Sequence, residues 1–217
     1  YARAGIVYLN NGATGSVTFI GTVSPAGGNL KEPVTESTKK AARCFYALSQ
    51  NRADSKRYPA IDTIDSYSKY LEYPEFIEYS KEKLDENWVE IVSEARNILI
   101  RGKETEEQIN ILGDDSVPID YHITLWKAEL IDFVILQQDA FDKIDSSTSL
   151  ERQEYMLKKI IGITRSEFKF ESFEEVGIYF KRLINVFRQL NYTIYKSEEF
   201  YSTEKEADAI LEERIIK

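Results

Sequence analysis

From about residue 71 onward the sequence keeps one pattern, with apolar residues at helical spacing in stretches separated by short breaks and capping signals. Such a tract can bury its apolar faces only by packing helix against helix, so it must fold as a helical bundle. After Asp85 one face carries Trp88, Ile91, Val92, Ala95, Ile98 and Leu99, with Gly102 as the expected stop. Thr105 and Gln108 have the spacing of a capping box and predict a short helix ending at Gly113. Beyond Pro118 the next face carries Ile123, Trp126, Leu130, Phe133 and Val134. Thr148 with Glu151, Ser172 with Glu175, and Thr203 with Glu206 repeat the capping spacing. They predict helices carrying residues 155–161, then Val176, Phe180, Leu183 and Phe187, then Ala207, Ile210 and Leu211. The expectation is a bundle of about five to seven helices, with no internal repeat of fixed period.

The first 70 residues differ in kind. Six of the ten glycines fall at positions 5, 12, 15, 21, 27 and 28. Residues 6–9 and 16–23 read as strands joined across Asn10-Asn11-Gly12. The second is so rich in β-branched and aromatic residues that it predicts a strand covered on both faces. A loop over residues 24–29 follows, and Thr35 is a candidate cap for a helix running to about Gln50, with Ala41, Cys44, Phe45 and Leu48 on one face. Strand, loop and helix in this order belong to an α/β layer, which three elements cannot complete. The expected fold is therefore mainly α, with an incomplete α/β piece over residues 1–70 before a helical domain over residues 71–217. The opening Tyr1-Ala2-Arg3-Ala4-Gly5 reads as a start inside a longer protein.

Composition removes several function classes. A net charge of -9 argues against a nucleic-acid partner, which needs a surplus of Lys and Arg on one face. The apolar runs are far too short to span a bilayer, and no basic leader with an apolar stretch opens the chain. The single cysteine, Cys44, can form no internal disulfide. No Gly-x-x-x-x-Gly-Lys-Ser/Thr run is present, and Gly102-Lys103 lacks the glycine five residues earlier. Gly27-Gly28 reads as a turn. The one histidine, His122, has neither cysteine neighbours for zinc nor a nucleophile elbow elsewhere, so helix surface or core is its expected place. No catalytic and no metal-ligating residue is assigned.

Three segments carry more information together than apart. The first is Gly15-Ser16-Val17-Thr18-Phe19-Ile20-Gly21-Thr22-Val23-Ser24-Pro25-Ala26-Gly27-Gly28, followed by Glu32-Pro33-Val34-Thr35. The second is Tyr58-Pro59-Ala60-Ile61, continuing to Ser66-Tyr67-Ser68-Lys69-Tyr70. The third is Gln137-Gln138-Asp139-Ala140-Phe141. In this order they resemble the catalytic A subunit (alpha chain) of V/A-type rotary ATPases and ATP synthases, over essentially the whole chain. Ala26 departs from the family's second proline, Asn29-Leu30-Lys31 replaces a more acidic and apolar stretch, and Asp62-Thr63 replaces Asn-Trp. These are loop or packing positions.

The resemblance implies a chain from the C-terminal part of that subunit, separated from its phosphate loop. It implies that Tyr58 stacks on the adenine of ATP or ADP, that Phe141 closes the other face and that Gln138 contributes at the rim. Mg2+ would belong to the intact complex. The implied partners are B subunits in an alternating hexameric ring and the central rotor stalk, which the tip around residues 109–122 would face. The implied place is cytoplasmic, touching the membrane only through the ion-translocating sector, with ATP chemistry coupled to proton or sodium transport and the isolated chain inactive. A stand-alone helical assembly module without a nucleotide role is the alternative.

Overall fold

The computed structural model describes residues 5–216. They hold eight α-helices and four short strands, in two compact units. The first unit comprises residues up to Phe45 together with Tyr67–Tyr70, and the second comprises Tyr46–Ser66 together with the chain from Leu71 onward.

In the first unit, β1 (Gly5–Tyr8) pairs antiparallel with β2 (Thr14–Val17), Gly5 opposite Val17. The turn closes through Leu9 N–H to Ala13 O at 2.8 Å, with Gly12 at φ 81°. Both strands are exposed along their whole length, and the strand expected over 16–23 ends at Val17. The expectation of cover on both faces is therefore not met, since every described residue of the two strands is exposed. Helix α1 (Pro33–Ala41) starts with Pro at its first position. Glu32, not Thr35, caps it: Glu32 Oε1 accepts from Thr35 N–H at 3.0 Å and from Thr35 Oγ1 at 2.7 Å, leaving Thr35 fully buried. The helix stops at Ala41 rather than Gln50, since Cys44–Phe45 (β3) pairs with Tyr67–Ser68 (β4) instead. Leu48, expected on that helix's apolar face, is 81% exposed.

The second unit is the helical bundle. It runs through α2 (Gln50–Asp54), α3 (Pro74–Lys83), α4 (Trp88–Leu112), α5 (Ile119–Ile131), a π-helical turn (Asp132–Leu136), α6 (Leu150–Arg165), α7 (Phe173–Asn191) and α8 (Glu198–Glu212). Helix α7 supplies the centre of the core. Val176, Phe180, Leu183, Phe187 and Leu190 lie on one stripe and are completely buried, against Ile160 and Ile161 of α6, Leu130 and Ile131 of α5, and Phe200 of α8. Each such side chain contributes roughly 1.5–3 kcal/mol by leaving water. Ser172 caps α7 as expected, its hydroxyl accepting from Glu175 N–H.

Three other boundaries shift. Helix α4 does not stop at Gly102 but continues to Leu112 and ends at Gly113, φ 87°. Gly102 is instead a point of close approach, where an added Cβ would lie 2.2 Å from Cβ of Ala128 on α5. Thr105 is thus interior to α4 and buried rather than a cap. Ser149 caps α6 in place of Thr148, and Ser197 caps α8 six residues before Thr203. Among the described residues no helix is long and apolar enough to cross a membrane.

Candidate functional site

Tyr58 lies on a short excursion, residues 46–66, that folds back on itself within the second unit. Ser49 N–H donates to Ala60 O at 2.8 Å and Asp62 N–H to Ala47 O at 2.7 Å, so both limbs are pinned around α2. Asp62 Oδ1 accepts from the N–H groups of Ile64 and Asp65, turning the chain onward. The Tyr58–Pro59 peptide is cis, and the Tyr58 ring is 55% exposed.

Two arginines anchor this excursion to α5 and to the π-helical turn that follows it. Arg57 places Nη1 at 2.9 Å and Nη2 at 2.8 Å from the two carboxylate oxygens of Glu129, and Nη1 also reaches Asp132 Oδ2 at 2.8 Å. Arg52 Nη1 donates to the other oxygen of Asp132 at 2.7 Å. Two positive and two negative groups therefore form a closed, mostly buried cluster, which a paired geometry makes tolerable in low dielectric. Burial would lower the Arg57 guanidinium, but the Glu129 and Asp132 carboxylates hold it above its ordinary range. Burial pushes Glu129 up, and Arg57 pulls it back. The Arg57 guanidinium also lies 4.6 Å from the Phe133 ring centroid, a cation–π contact that removes most of its remaining freedom.

The π-helical turn redirects the chain as it leaves α5. Gln137 N–H closes that turn on Asp132 O at 3.1 Å, and the next residue, Gln138, donates its N–H to the carbonyl of Tyr58 at 2.9 Å. Asn191 at the end of α7 donates to Val134 O, fixing the turn from the other side. The following loop is shaped by its own acids. Gln138 Nε2 donates to Asp145 O at 2.6 Å, and Asp139 N–H donates to Asp145 Oδ2 at 2.6 Å. Asp142 Oδ1 accepts from Ile144 and Asp145 N–H, while Asp139 Oδ1 accepts from Phe141 N–H at 2.9 Å. Asp145 is 7% exposed, and burial raises its carboxyl above the ordinary range. Phe141 at the loop's tip is 98% exposed.

The structure thus brings the segments of Tyr58 and Gln138 into direct backbone contact, with Phe141 three residues further on. Two exposed aromatic rings on pinned loops can offer π faces to a flat heterocycle without needing charge. Sequence reasoning missed the residues that hold the arrangement: Arg52, Arg57, Glu129, Asp132 and Asp145. The arginine–carboxylate partners lie 72 to 80 positions apart and leave no local signature. The one available hint was that Arg57 directly precedes Tyr58.

Among the described residues no group of three or more His, Cys, Asp or Glu could hold a metal ion. His122 is 4% exposed at the start of α5, with Nε2 3.2 Å from Asp114 O and its ring stacked on Phe173 at 5.0 Å. That is a packing role at the α4–α5 turn, where Ile111 and Leu112 stand 80% and 58% exposed.

Comparison with known proteins bears on the whole chain. Residues 1–68 match the nucleotide-binding domain of the ATP synthase alpha/beta family, and residues 77–172 match the C-terminal domain of V and A type ATP synthase. The V-type ATP synthase alpha chain of Treponema denticola is 42% identical over 204 residues, covering 94% of this chain and 32% of that one. That of Borrelia duttonii is 39% identical over 204 residues, 94% of this chain and 33% of the relative. That of Protochlamydia amoebophila is 36% identical over 214 residues, 99% of this chain and 36% of the relative. The chain spans about a third of the length of these curated relatives. Among solved structures, the ATP synthase subunit NeqB from Nanoarcheaum equitans superposes with a TM-score of 0.51, covering 70% of this chain and 36% of that one. At 21% identity that likeness speaks for the fold alone.

Proposed function

The chain belongs to the family of V-type ATP synthase alpha chains, and from that premise we propose that Tyr58, Gln138 and Phe141 form the adenine side of an ATP site. The observation that carries this reading is the hydrogen bond from Gln138 N–H to Tyr58 O, which joins two segments 80 positions apart and leaves an exposed aromatic on each. In the complete assembly the site would bind ATP or ADP with Mg2+, beside B subunits in an alternating ring on the cytoplasmic face. ATP hydrolysis or synthesis would there be coupled to proton or sodium transport. The α4–α5 turn, with Ile111 and Leu112 exposed, would face the central rotor. The α/β portion over residues 1–70 would contribute Tyr58, and the helical portion over residues 71–217 would contribute Gln138, Phe141 and the rotor-facing turn.

Magnitude limits what the chain does alone. Stacking is worth about 1–3 kcal/mol per base, whereas millimolar affinity already needs about 4 kcal/mol. Two rings with no phosphate-binding loop in the sequence should hold a nucleotide at millimolar strength at best. An NMR titration with AMP should shift the signals of Tyr58 and Phe141, and Tyr58→Ala or Phe141→Ala should each weaken binding by about fivefold or more. Shifts elsewhere but not at these rings would refute the site. The isolated chain should also turn over no ATP, and phosphate release above a blank containing an inactive preparation would contradict that.

A further inference from the structure

Lys127 lies on α5, half-buried, on the side turned to the link between α6 and α7. Its Nζ donates to Ser166 O at 2.8 Å, just past the end of α6, and stands 5.3 Å from the centroid of the Phe168 ring. Among the described residues no carboxylate comes within ion-pair distance of that amine. Lys159, also half-buried, shows the contrast, since it meets Glu204 at 2.7 Å and Asp208 at 2.9 Å. A carbonyl dipole and a ring face attract an ammonium less than a full negative charge does. Burial therefore wins at Lys127 and pushes its amine below the ordinary lysine range. Glu167 on the α6–α7 link and Asp120 on α5 are the charged groups that face it, and from beyond ion-pair distance they recover only part of that loss.

We propose that Lys127 is a covalent modification site, whose amine condenses with small neutral aldehydes. The nitrogen lone pair attacks the carbonyl carbon, a carbon–nitrogen bond forms, and the carbonyl oxygen leaves as water with the two protons of the neutral amine. The imine then takes one proton from solvent. That N–H still serves Ser166 O, and the charge it brings is favoured by Glu167 and Asp120. The same two carboxylates oppose an anionic reagent, and half-burial opposes a bulky one, which sets the class as small and neutral.

The test labels the folded chain with trace acetaldehyde and cyanoborohydride near neutral pH and reads each lysine by peptide mass spectrometry. The borohydride delivers hydride to each imine and leaves a stable ethylamine. Lys103 and Lys205, both exposed, serve as references. Lys127 should be labelled faster than either by about threefold or more, because the free base and not the ammonium is the nucleophile. In urea the three should react within about twofold of one another, since the fold creates the difference. Glu167→Gln, at an exposed position, removes a charge that helps to hold the proton, so it should raise the Lys127 rate further and leave the references unchanged. Glyoxylate, an anionic aldehyde, should show less preference for Lys127 in wild type and regain it in Glu167→Gln. Lys127 reacting no faster than the references, a preference that persists in urea, or a slower Lys127 in Glu167→Gln would each overturn the assignment. Glyoxylate choosing Lys127 as strongly as acetaldehyde does would overturn the neutral class.

Discussion

Asp132→Ala should lower the folding stability of this chain by about 3–5 kcal/mol, the cost of removing one partner from a buried ion cluster. Asp132 is 4% exposed, and it is the residue on which Arg52 and Arg57 converge. Without it the cluster keeps two positive groups and a single carboxylate, Glu129, which already answers Arg57 alone. Arg52 would then be left in a mostly buried place with no acceptor for Nη1. Asp132→Asn keeps an acceptor at the same place and should cost clearly less. Urea unfolding midpoints decide the matter, and an Asp132→Ala midpoint within about 1 kcal/mol of wild type would show that the cluster is ornamental to stability. The same variant should also loosen the Tyr58 excursion, visible as faster amide exchange at Ser49 and Asp62, the two N–H donors that pin its limbs.

The second large effect has the opposite sign from what helix propensity suggests. A glycine inside an exposed helix costs about 1 kcal/mol against alanine, so Gly102→Ala would ordinarily stabilise. Here the new Cβ would fall 2.2 Å from Ala128 Cβ, far inside contact distance, and α4 and α5 would have to separate. Overpacking of this kind costs about 1–3 kcal/mol and occasionally more, which outweighs the propensity gain; Gly102→Val should sit at or above the top of that range. Adding Ala128→Gly to Gly102→Ala should return part of the loss, since it removes the atom that is struck. Thermal unfolding of the four proteins gives the answer, and a Gly102→Ala chain at least as stable as wild type would refute the close approach.

Gly102 also shows how far local pattern reaches. As a lone glycine after an apolar run it has the look of a helix end, and only the partner helix reveals that it marks contact. Thr105 and Thr203 fail for a related reason. Capping-box spacing occurs inside helices too, and Thr105 is buried within α4 while Thr203 lies inside α8. Ser172 succeeds because the chain really is extended there, with φ -145° and ψ 162°, before it enters α7. The helix expected through Cys44 and Phe45 fails because those residues find strand partners in Tyr67 and Ser68, more than twenty positions away.

That the chain is chiefly a helical bundle follows from its residue pattern alone. The apolar stripes on α5, α6 and α7 must be buried, and Val176, Phe180, Leu183 and Phe187 are all at zero exposure. Its ordered motifs also determined the family. How the motif of Tyr58 meets the motif of Gln138 comes from packing and is not written in either motif. That meeting depends on a π-helical turn that redirects the chain after α5, on a four-charge cluster and on a single backbone hydrogen bond. None of these has a local signature, because pairing between distant charges and the exit angle of a helix are set by the packing around them rather than by neighbouring residues.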